Sequence, residues 1–247
     1  MPIKYKTSAK DFFARFKELW GKKHVGMKIK ELVLHTASFE SLKEFYASLL
    51  ELPIEIINAE SFAVQAGVSR LVFLRALPGI EPVYHFAFNI PSNKIEDARA
   101  WLLRRVKLLW LADYNSDIAE FAGWHARSVY FLDPSGNIVE FISRFDLNDP
   151  VEEAFSAMHI RNISEVGMVF PENDFEKDIN ELIVKYGLGY FSKQAPLPKF
   201  RAIGNDEGLF VIVPEGRIWF STKDTRAGIF PLKVLFEEGE RMLDTGY

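Results

Sequence analysis

The stretch RSVYFLDPSGNIVEFI, residues 127–142, decides the fold prediction. Two runs of β-branched and aromatic residues flank DPSGN, in which Pro134 favours the start of a turn and Gly136 can adopt a positive φ. The pattern predicts a β-hairpin. In its second strand, Glu140 shares one face with two isoleucines, so a carboxylate lies where alternation would place an apolar residue. On a buried face Glu140 needs a proton, a cation or another partner, whereas exposure at a sheet edge is the alternative.

The composition is that of an ordinary globular protein, with 247 residues, 48% hydrophobic and 26% charged. A net charge of −4 with interspersed signs argues against a nucleic acid or an anionic membrane as partner. We find no apolar signal-peptide core and no apolar run of transmembrane length, so a cytoplasmic location is expected. The chain has no cysteine, so any metal must be held by histidines and carboxylates.

The order of predicted elements repeats along the chain, which indicates one supersecondary unit used several times. The first pass is a strand at 29–37, a helix near 40–50, and strands at 55–57, 61–65 and 70–75. The second is a strand at 83–90, a helix at 93–106, a strand at 108–112 and the hairpin. A third, weaker pass has a strand at 163–170, a helix at 174–186, and strands near 200–203, 208–213 and 218–220. The first strands of the first and third passes carry a glutamate at the same place, Glu31 and Glu165.

Repeated βαβββ units, with HFAF opening the second and DPSGNIVEF closing it, resemble the vicinal oxygen chelate superfamily. That superfamily includes glyoxalase I, fosfomycin-resistance proteins, extradiol ring-cleaving dioxygenases and metal-free bleomycin-binding proteins. The resemblance implies an α+β fold of repeated βαβββ modules, paired so that a curved sheet surrounds a cleft. It divides the chain into a helical extension at 1–26, paired modules at 27–147, and a degenerate third module with a tail at 148–247.

The resemblance also implies metal ligands on the first and last strands of the modules. Glu140 matches the last-strand carboxylate, His85 the first-strand histidine of the second module, and Glu31 the first-strand ligand of the first. The fourth position falls on Phe73, which cannot bind metal, so three ligands are expected. A divalent ion, Fe, Mn or Zn, suits this set of donors.

His35 leaves an alternative open, since it shares a strand face with Glu31 about 13 Å further along and a one-residue shift in alignment would make it the ligand. His35, His85 and Glu140 would then form the face of two histidines and one carboxylate that suits Fe(II). If Glu31 is the ligand, His35 is expected to contact the substrate. Alternatively, each residue is structural: histidines in aromatic strands are usually hydrogen-bonded core residues, and Glu31 could pair with a nearby lysine.

Four residues on or before the first strand of the hairpin could line the cleft. We expect His125 as general base and Tyr130 as proton donor, with Trp124 and Arg127 contacting substrate. Each could equally be a rim residue of a loop. The third module offers no complete ligand set and is expected to be structural, with the apolar strand at 231–236 able to close it.

Residues 8–20, SAKDFFARFKELW, predict a helix with an apolar face of five large side chains. This face and the unpaired third module both need cover, so a homodimer or a docked helix is expected. The leading functional prediction is a metal-dependent enzyme of the glyoxalase and extradiol dioxygenase type that polarises adjacent oxygens of a small substrate. A metal-free small-molecule-binding protein using the same cleft is the alternative.

Overall fold

The computed structural model describes residues 27–236 and 241–245. The predicted helix at 8–20 and the extension at 1–26 lie outside this part of the chain. The first module contains β1 (Ile29–Thr36), α1 (Phe39–Glu44) with a π-helical continuation (Phe45–Leu49), β2 (Ile54–Asn58), β3 (Ser61–Ala66) and β4 (Ser69–Arg75). The second contains β5 (His85–Ile90), α2 (Ile95–Leu102), β6 (Ile118–Phe121), β7 (Ala126–Leu132) and β8 (Ile138–Arg144).

The third module is shorter by one strand. It contains β9 (Asn162–Phe170), α3 (Phe175–Tyr186), β10 (Arg201–Asn205) and β11 (Gly208–Pro214), and the chain continues into β12 (Leu232–Phe236) and β13 (Arg241–Asp244). The α+β class with repeated modules is confirmed. Two predicted strands are wrong. The segment 108–112 makes only isolated bridges, at Leu108 and Leu111, with β6 following later, and 218–220 lies in a connection that carries a bridge at Ile218.

The strands form two sheets, and these correct the predicted pairing of modules. The seven-stranded sheet has the order β10-β11-β9-β5-β8-β7-β6, and the six-stranded sheet β13-β12-β1-β4-β3-β2. The second module therefore pairs with the third, through antiparallel β5 and β9, and not with the first as the 27–147 prediction required. In the six-stranded sheet, β12 pairs with the edge of β1 that is equivalent to the edge of β5 covered by β9. The tail therefore covers the open edge of the first module and not that of the third.

The DPSGN hairpin forms as predicted. The Asp133 carboxylate accepts hydrogen bonds from the backbone N–H groups of Ser135, at 2.9 Å, and Asn137, at 3.0 Å. Gly136 has a φ of 78°, which a residue with a side chain rarely adopts. The Tyr46 hydroxyl donates to the same carboxylate at 3.0 Å, so the turn is anchored to the first module.

The first module is joined to the second sheet through β4 and its preceding turn. The Ser69 hydroxyl donates to the Ile29 carbonyl at 2.6 Å and accepts from the Ile163 N–H at 2.9 Å. At Gly67 a Cβ would lie 1.9 Å from the Arg161 carbonyl oxygen, so only glycine permits this approach. One continuous aromatic-rich core runs beneath both sheets. None of the described helices is long and apolar enough to span a membrane.

Candidate metal centre

The centre of the seven-stranded sheet brings two carboxylates to the same small residue. In β5, Ala87 pairs with Glu140 of β8 on one side and with Glu165 of β9 on the other. His85, two residues earlier, projects from the same face as Ala87. Because the methyl group of Ala87 fills little space, both carboxylates and the imidazole converge above it. One ligand atom from each of these three residues lies within 4.8 Å of the others.

His85 is oriented by its backbone contact. Its Nδ1 lies 3.2 Å from the Ile138 carbonyl oxygen, which can only accept, so Nδ1 carries the proton and Nε2 a lone pair. Nε2 lies 3.5 Å from the Glu140 Oε2 atom and 4.0 Å from the Glu165 Oε2 atom. A lone pair thus faces two acids, and all three side chains are buried. This arrangement requires a proton or a cation between the groups.

Burial sets the charge state of the three groups when no metal is bound. It lowers the pKa of His85 to about 4, so the ring is neutral at physiological pH. Burial, followed by the charge of Glu165, raises the pKa of Glu140 to about 8. Burial also raises the pKa of Glu165, although the charge of Arg144 opposes that shift. Glu140 therefore holds a proton near neutral pH, where a metal ion would replace it.

Arg144 is a buried counter-ion beside the centre. It follows Glu140 on the same face of β8, its side chain is fully buried, and it forms ion pairs with Glu165 and Asp206. The Glu165 Oε1 atom is occupied by Arg144, which leaves Oε2 directed at His85. Lys193 continues the chain of ion pairs, at 2.7 Å from both Asp206 and Asp146. Such a partner behind a carboxylate fixes the orientation of a metal ligand.

The donor set fits a divalent ion with open coordination positions. In the second module, His85 pairs with Ile138 and, two residues later, Ala87 pairs with Glu140. In the third module, Glu165 pairs with Leu209 and, two residues later, Gly167 pairs with Val211. Val211 therefore occupies the position equivalent to Glu140 and cannot bind metal. One imidazole nitrogen and two carboxylate oxygens suit Mn(II), Fe(II) or Zn(II).

A cavity of about 230 Å³ opens in front of the centre. Six aromatic side chains line it: Phe121, Trp124, Tyr130, Phe200, Trp219 and Phe220. The Trp219 ring lies 5.3 Å from the imidazole of His85, centroid to centroid. Gly167 makes this possible, because a Cβ there would lie 2.7 Å from the Trp219 ring. The cavity is thus a mainly apolar pocket with a polar group at its base, typical of small-molecule sites.

Two of the three predicted ligands, His85 and Glu140, meet in the structure. Glu31 does not join them, because β1 belongs to the other sheet, where Glu31 pairs with Arg70 at 3.0 Å. Glu165 stands in the place predicted for Glu31. The description of the third module as structural is corrected accordingly, since it supplies this acid.

The predicted cleft residues divide between the cavity and other surfaces. Trp124 and Tyr130 line the cavity. Arg127 points to the opposite face of β7 and pairs with Glu96 of α2 at 2.7 Å. The His125 side chain is 66% exposed and bonds to Asp146, and this position does not support a role as general base.

His35 also lies away from the centre, because its strand is in the six-stranded sheet. Its backbone N–H donates to the Tyr84 hydroxyl at 3.4 Å. Neither the ligand role nor the substrate contact predicted for His35 is supported by this position.

Sequence reasoning missed Arg144, Arg217 and Trp219. Extending the alternation Ile138, Glu140, Ile142 by one step identifies Arg144 as the next residue on the same face. Arg217 and Trp219 belong to an irregular connection, where the sequence predicted a strand at 218–220, and side-chain directions in an irregular segment do not follow strand alternation.

No protein-family model matches the sequence, and no curated protein matches it. Solved structures do match. A candidate dioxygenase from Bacillus subtilis subsp. subtilis str. 168 has a TM-score of 0.51 at 16% identity over 78% of this chain, and the match spans 64% of that protein. A glyoxalase/bleomycin resistance protein/dioxygenase from Nocardioides has a TM-score of 0.40 at 19% identity, covering 57% of this chain and 98% of its own.

Lactoylglutathione lyase from Agrobacterium tumefaciens has a TM-score of 0.37 at 16% identity, covering 46% of this chain and 90% of its own. At these identities the likeness concerns the fold alone. It rests on the Bacillus structure, which of these three has the TM-score above 0.5. The chain has the fold of the vicinal oxygen chelate proteins, and the resemblance predicted from its sequence is confirmed at that level.

Proposed function

We propose that this protein is a divalent-metal-dependent enzyme acting on a small, oxygen-rich substrate, by ring-cleaving dioxygenase, lyase or transferase chemistry. His85, Glu140 and Glu165 are the proposed ligands. One observation carries the proposal: the unprotonated Nε2 of His85 faces two buried carboxylate oxygens, at 3.5 and 4.0 Å. In a structural core histidine, a hydrogen-bond donor would face this nitrogen, whereas in a metal ligand its lone pair faces the ion.

When bound, an ion held by these three residues would supply Lewis-acid chemistry to adjacent substrate oxygens. Val211 lines the cavity at the position equivalent to Glu140 and offers no competing ligand there. The chain's own groups orient and enclose the substrate. Tyr130 lines the cavity, and burial raises the pKa of its phenol well above the ordinary value, so the phenol remains a proton donor. The aromatic walls exclude water, which strengthens electrostatic contacts with the reacting oxygens.

The two equivalent glutamates provide the test. Mn(II) or Zn(II) added to chelator-treated protein should raise the melting temperature of wild type, because an ion bound only by the folded state stabilises it by mass action. Glu165→Gln should remove most of this gain, and Glu31→Gln, the matched change in the other sheet, should leave it intact. Elemental analysis of protein purified without chelators should find close to one ion per chain. Equal metal responses in wild type and Glu165→Gln would refute the proposal.

A metal-free binding protein is a second candidate, and one observation favours it. With the pKa of Glu140 raised to about 8, a proton on Glu140 can satisfy the lone pair of His85 without any ion. Trp124 and Trp219 both line the cavity, so ligand binding should quench their fluorescence. Binding of small aromatic ligands that is unchanged by a chelator would favour this second function.

A further inference from the structure

The connection between β11 and β12 covers one side of the cavity and carries its charged residue, Arg217. The Ala227 N–H donates to the Arg217 carbonyl at 2.8 Å, and the Trp219 N–H donates to the Thr225 carbonyl at 3.0 Å. The connection is therefore an ordered hairpin-like segment. Arg217 lines the same cavity as His85, Glu140 and Glu165.

Arg217 differs from the two buried arginines of the seven-stranded sheet. Arg144 pairs with Glu165 and Asp206, and Arg201 pairs with Glu176. No carboxylate in the described part of the chain pairs with Arg217, whose guanidinium lies over the Phe200 ring at 5.6 Å. Arg217 is half-buried, and burial lowers its pKa with no acid opposing the shift.

The charges around the cavity leave Arg217 unbalanced. Two ligand carboxylates neutralise a divalent ion, and the charges of Arg144 and Lys193 are offset by those of Asp206 and Asp146. The charge of Arg217 is then the one that the cavity presents to a ligand. A half-buried guanidinium without a partner is a strong site for a carboxylate or another oxyanion, which it can bind with two parallel hydrogen bonds.

We propose that the substrate is a planar organic anion, with adjacent oxygens directed at the metal centre and an oxyanion, such as a carboxylate, bound by Arg217. The aromatic side chains on the walls favour a flat ring by stacking, and a cavity of about 230 Å³ accommodates a single substituted ring. The role of the adjacent oxygens rests on the proposed function. The anion contact at Arg217 does not require the metal.

The test compares two probes of similar shape that differ in charge. One is the anion 3,4-dihydroxybenzoate, and the other is the neutral amide 3,4-dihydroxybenzamide. Binding is measured anaerobically by tryptophan fluorescence, once with Mn(II) and once with EDTA. Wild type should bind the benzoate about ten-fold more tightly than the benzamide, the scale of a charged hydrogen bond. Arg217→Gln should abolish this preference, and Arg217→Lys should retain part of it.

Lys223→Gln is the matched control, because it removes one positive charge from the same segment at an exposed position outside the cavity. It should keep the full preference. Equal binding of the two probes by wild type, no binding of the benzoate, or a preference that survives in Arg217→Gln would overturn the inference. Failure of Mn(II) to tighten either probe would count against the proposed function alone, because the charge preference with EDTA still reports on Arg217.

Discussion

At the level of single residues, the proposed centre depends on which atoms carry protons. The contact of His85 Nδ1 with the Ile138 carbonyl commits the only proton of the neutral ring, so Nε2 can accept but not donate. Glu140 then supplies the missing proton in the metal-free protein, since its pKa is raised to about 8 by burial and by Glu165. The proton on Glu140 and the metal ion therefore compete for one place.

This competition predicts the pH dependence of stability in chelator-treated protein. The native state holds the Glu140 proton up to about pH 8, whereas an unfolded glutamate releases it near its ordinary pKa of 4.5. Because the native state binds more protons than the unfolded state across this interval, the free energy of unfolding falls as the pH rises. From pH 6.5 to 8 the decrease should be roughly 1–2 kcal/mol, measured by urea denaturation.

Glu140→Gln is the control for this titration, because the amide has nearly the same shape and does not ionise. Its stability should change much less over the same interval. His85 does not mask the effect, since its pKa is lowered to about 4 and its contribution is complete once the pH exceeds the ordinary value of 6.5. Parallel pH profiles for wild type and Glu140→Gln would show that Glu140 is ionised in the native state.

At the level of elements, β5 creates the centre by lying between two strands that each carry an acid. The register places Glu140 and Glu165 beside the same residue, Ala87, which is fully buried. Neighbouring strands are about 4.8 Å apart, so two carboxylates flanking one strand can meet only above a small side chain. The small side chain of Ala87 therefore leaves the space in which the ligands converge.

Ala87→Leu tests this geometry without altering any ligand. The added isobutyl group should fill the space above β5 and abolish the metal-induced rise in melting temperature. Overpacking should also cost about 1–3 kcal/mol of stability. Ala87→Ser adds a single oxygen and should keep most of the metal response. Circular dichroism establishes that both variants fold, and a full metal response in folded Ala87→Leu would place the ion elsewhere.

At the level of the whole molecule, the tail completes the six-stranded sheet and packs it against the third module. Residue Phe236 of β12 is buried, with its ring 5.6 Å from Phe210 of β11 and 5.9 Å from Tyr186 of α3. The aromatic side chain thus contacts both the seven-stranded sheet and a helix of the third module.

Phe236→Ala should destabilise the protein by about 3–5 kcal/mol, the cost of deleting a buried aromatic ring and leaving a cavity. The metal affinity of the folded variant should not change, because the centre lies in strands β5, β8 and β9. Denaturant titration measures the first effect, and Mn(II) titration well below the unfolding midpoint measures the second. A loss of less than about 1 kcal/mol would show that β12 is only loosely attached.

Of the two arguments for a homodimer, the one based on an unpaired third module no longer holds. The third module is already paired with the second, so it needs no second copy to cover it. The apolar face predicted over residues 8–20 lies outside the described residues, and the dimer that it suggests stays a prediction.

The sequence by itself determined the features that depend on neighbouring residues. Turn chemistry and alternation identified the hairpin, the buried Glu140 and the strand carrying His85, and element order identified the repeated modules. Repetition also showed that Glu31 and Glu165 hold equivalent positions. Because they are equivalent within their strands, no local pattern could decide which of them meets His85.

Only the tertiary structure made that decision, through the pairing of strand edges. β12 covers the edge of β1 in the six-stranded sheet, which leaves β9 to pair with β5 and brings Glu165 to the centre. Each acid then has the partner that its sheet supplies: Arg70, directly opposite on β4, for Glu31, and the buried Arg144 for Glu165. Strand pairing joins segments distant in sequence, so its outcome depends on the packing of the whole chain and not on the residues around either glutamate.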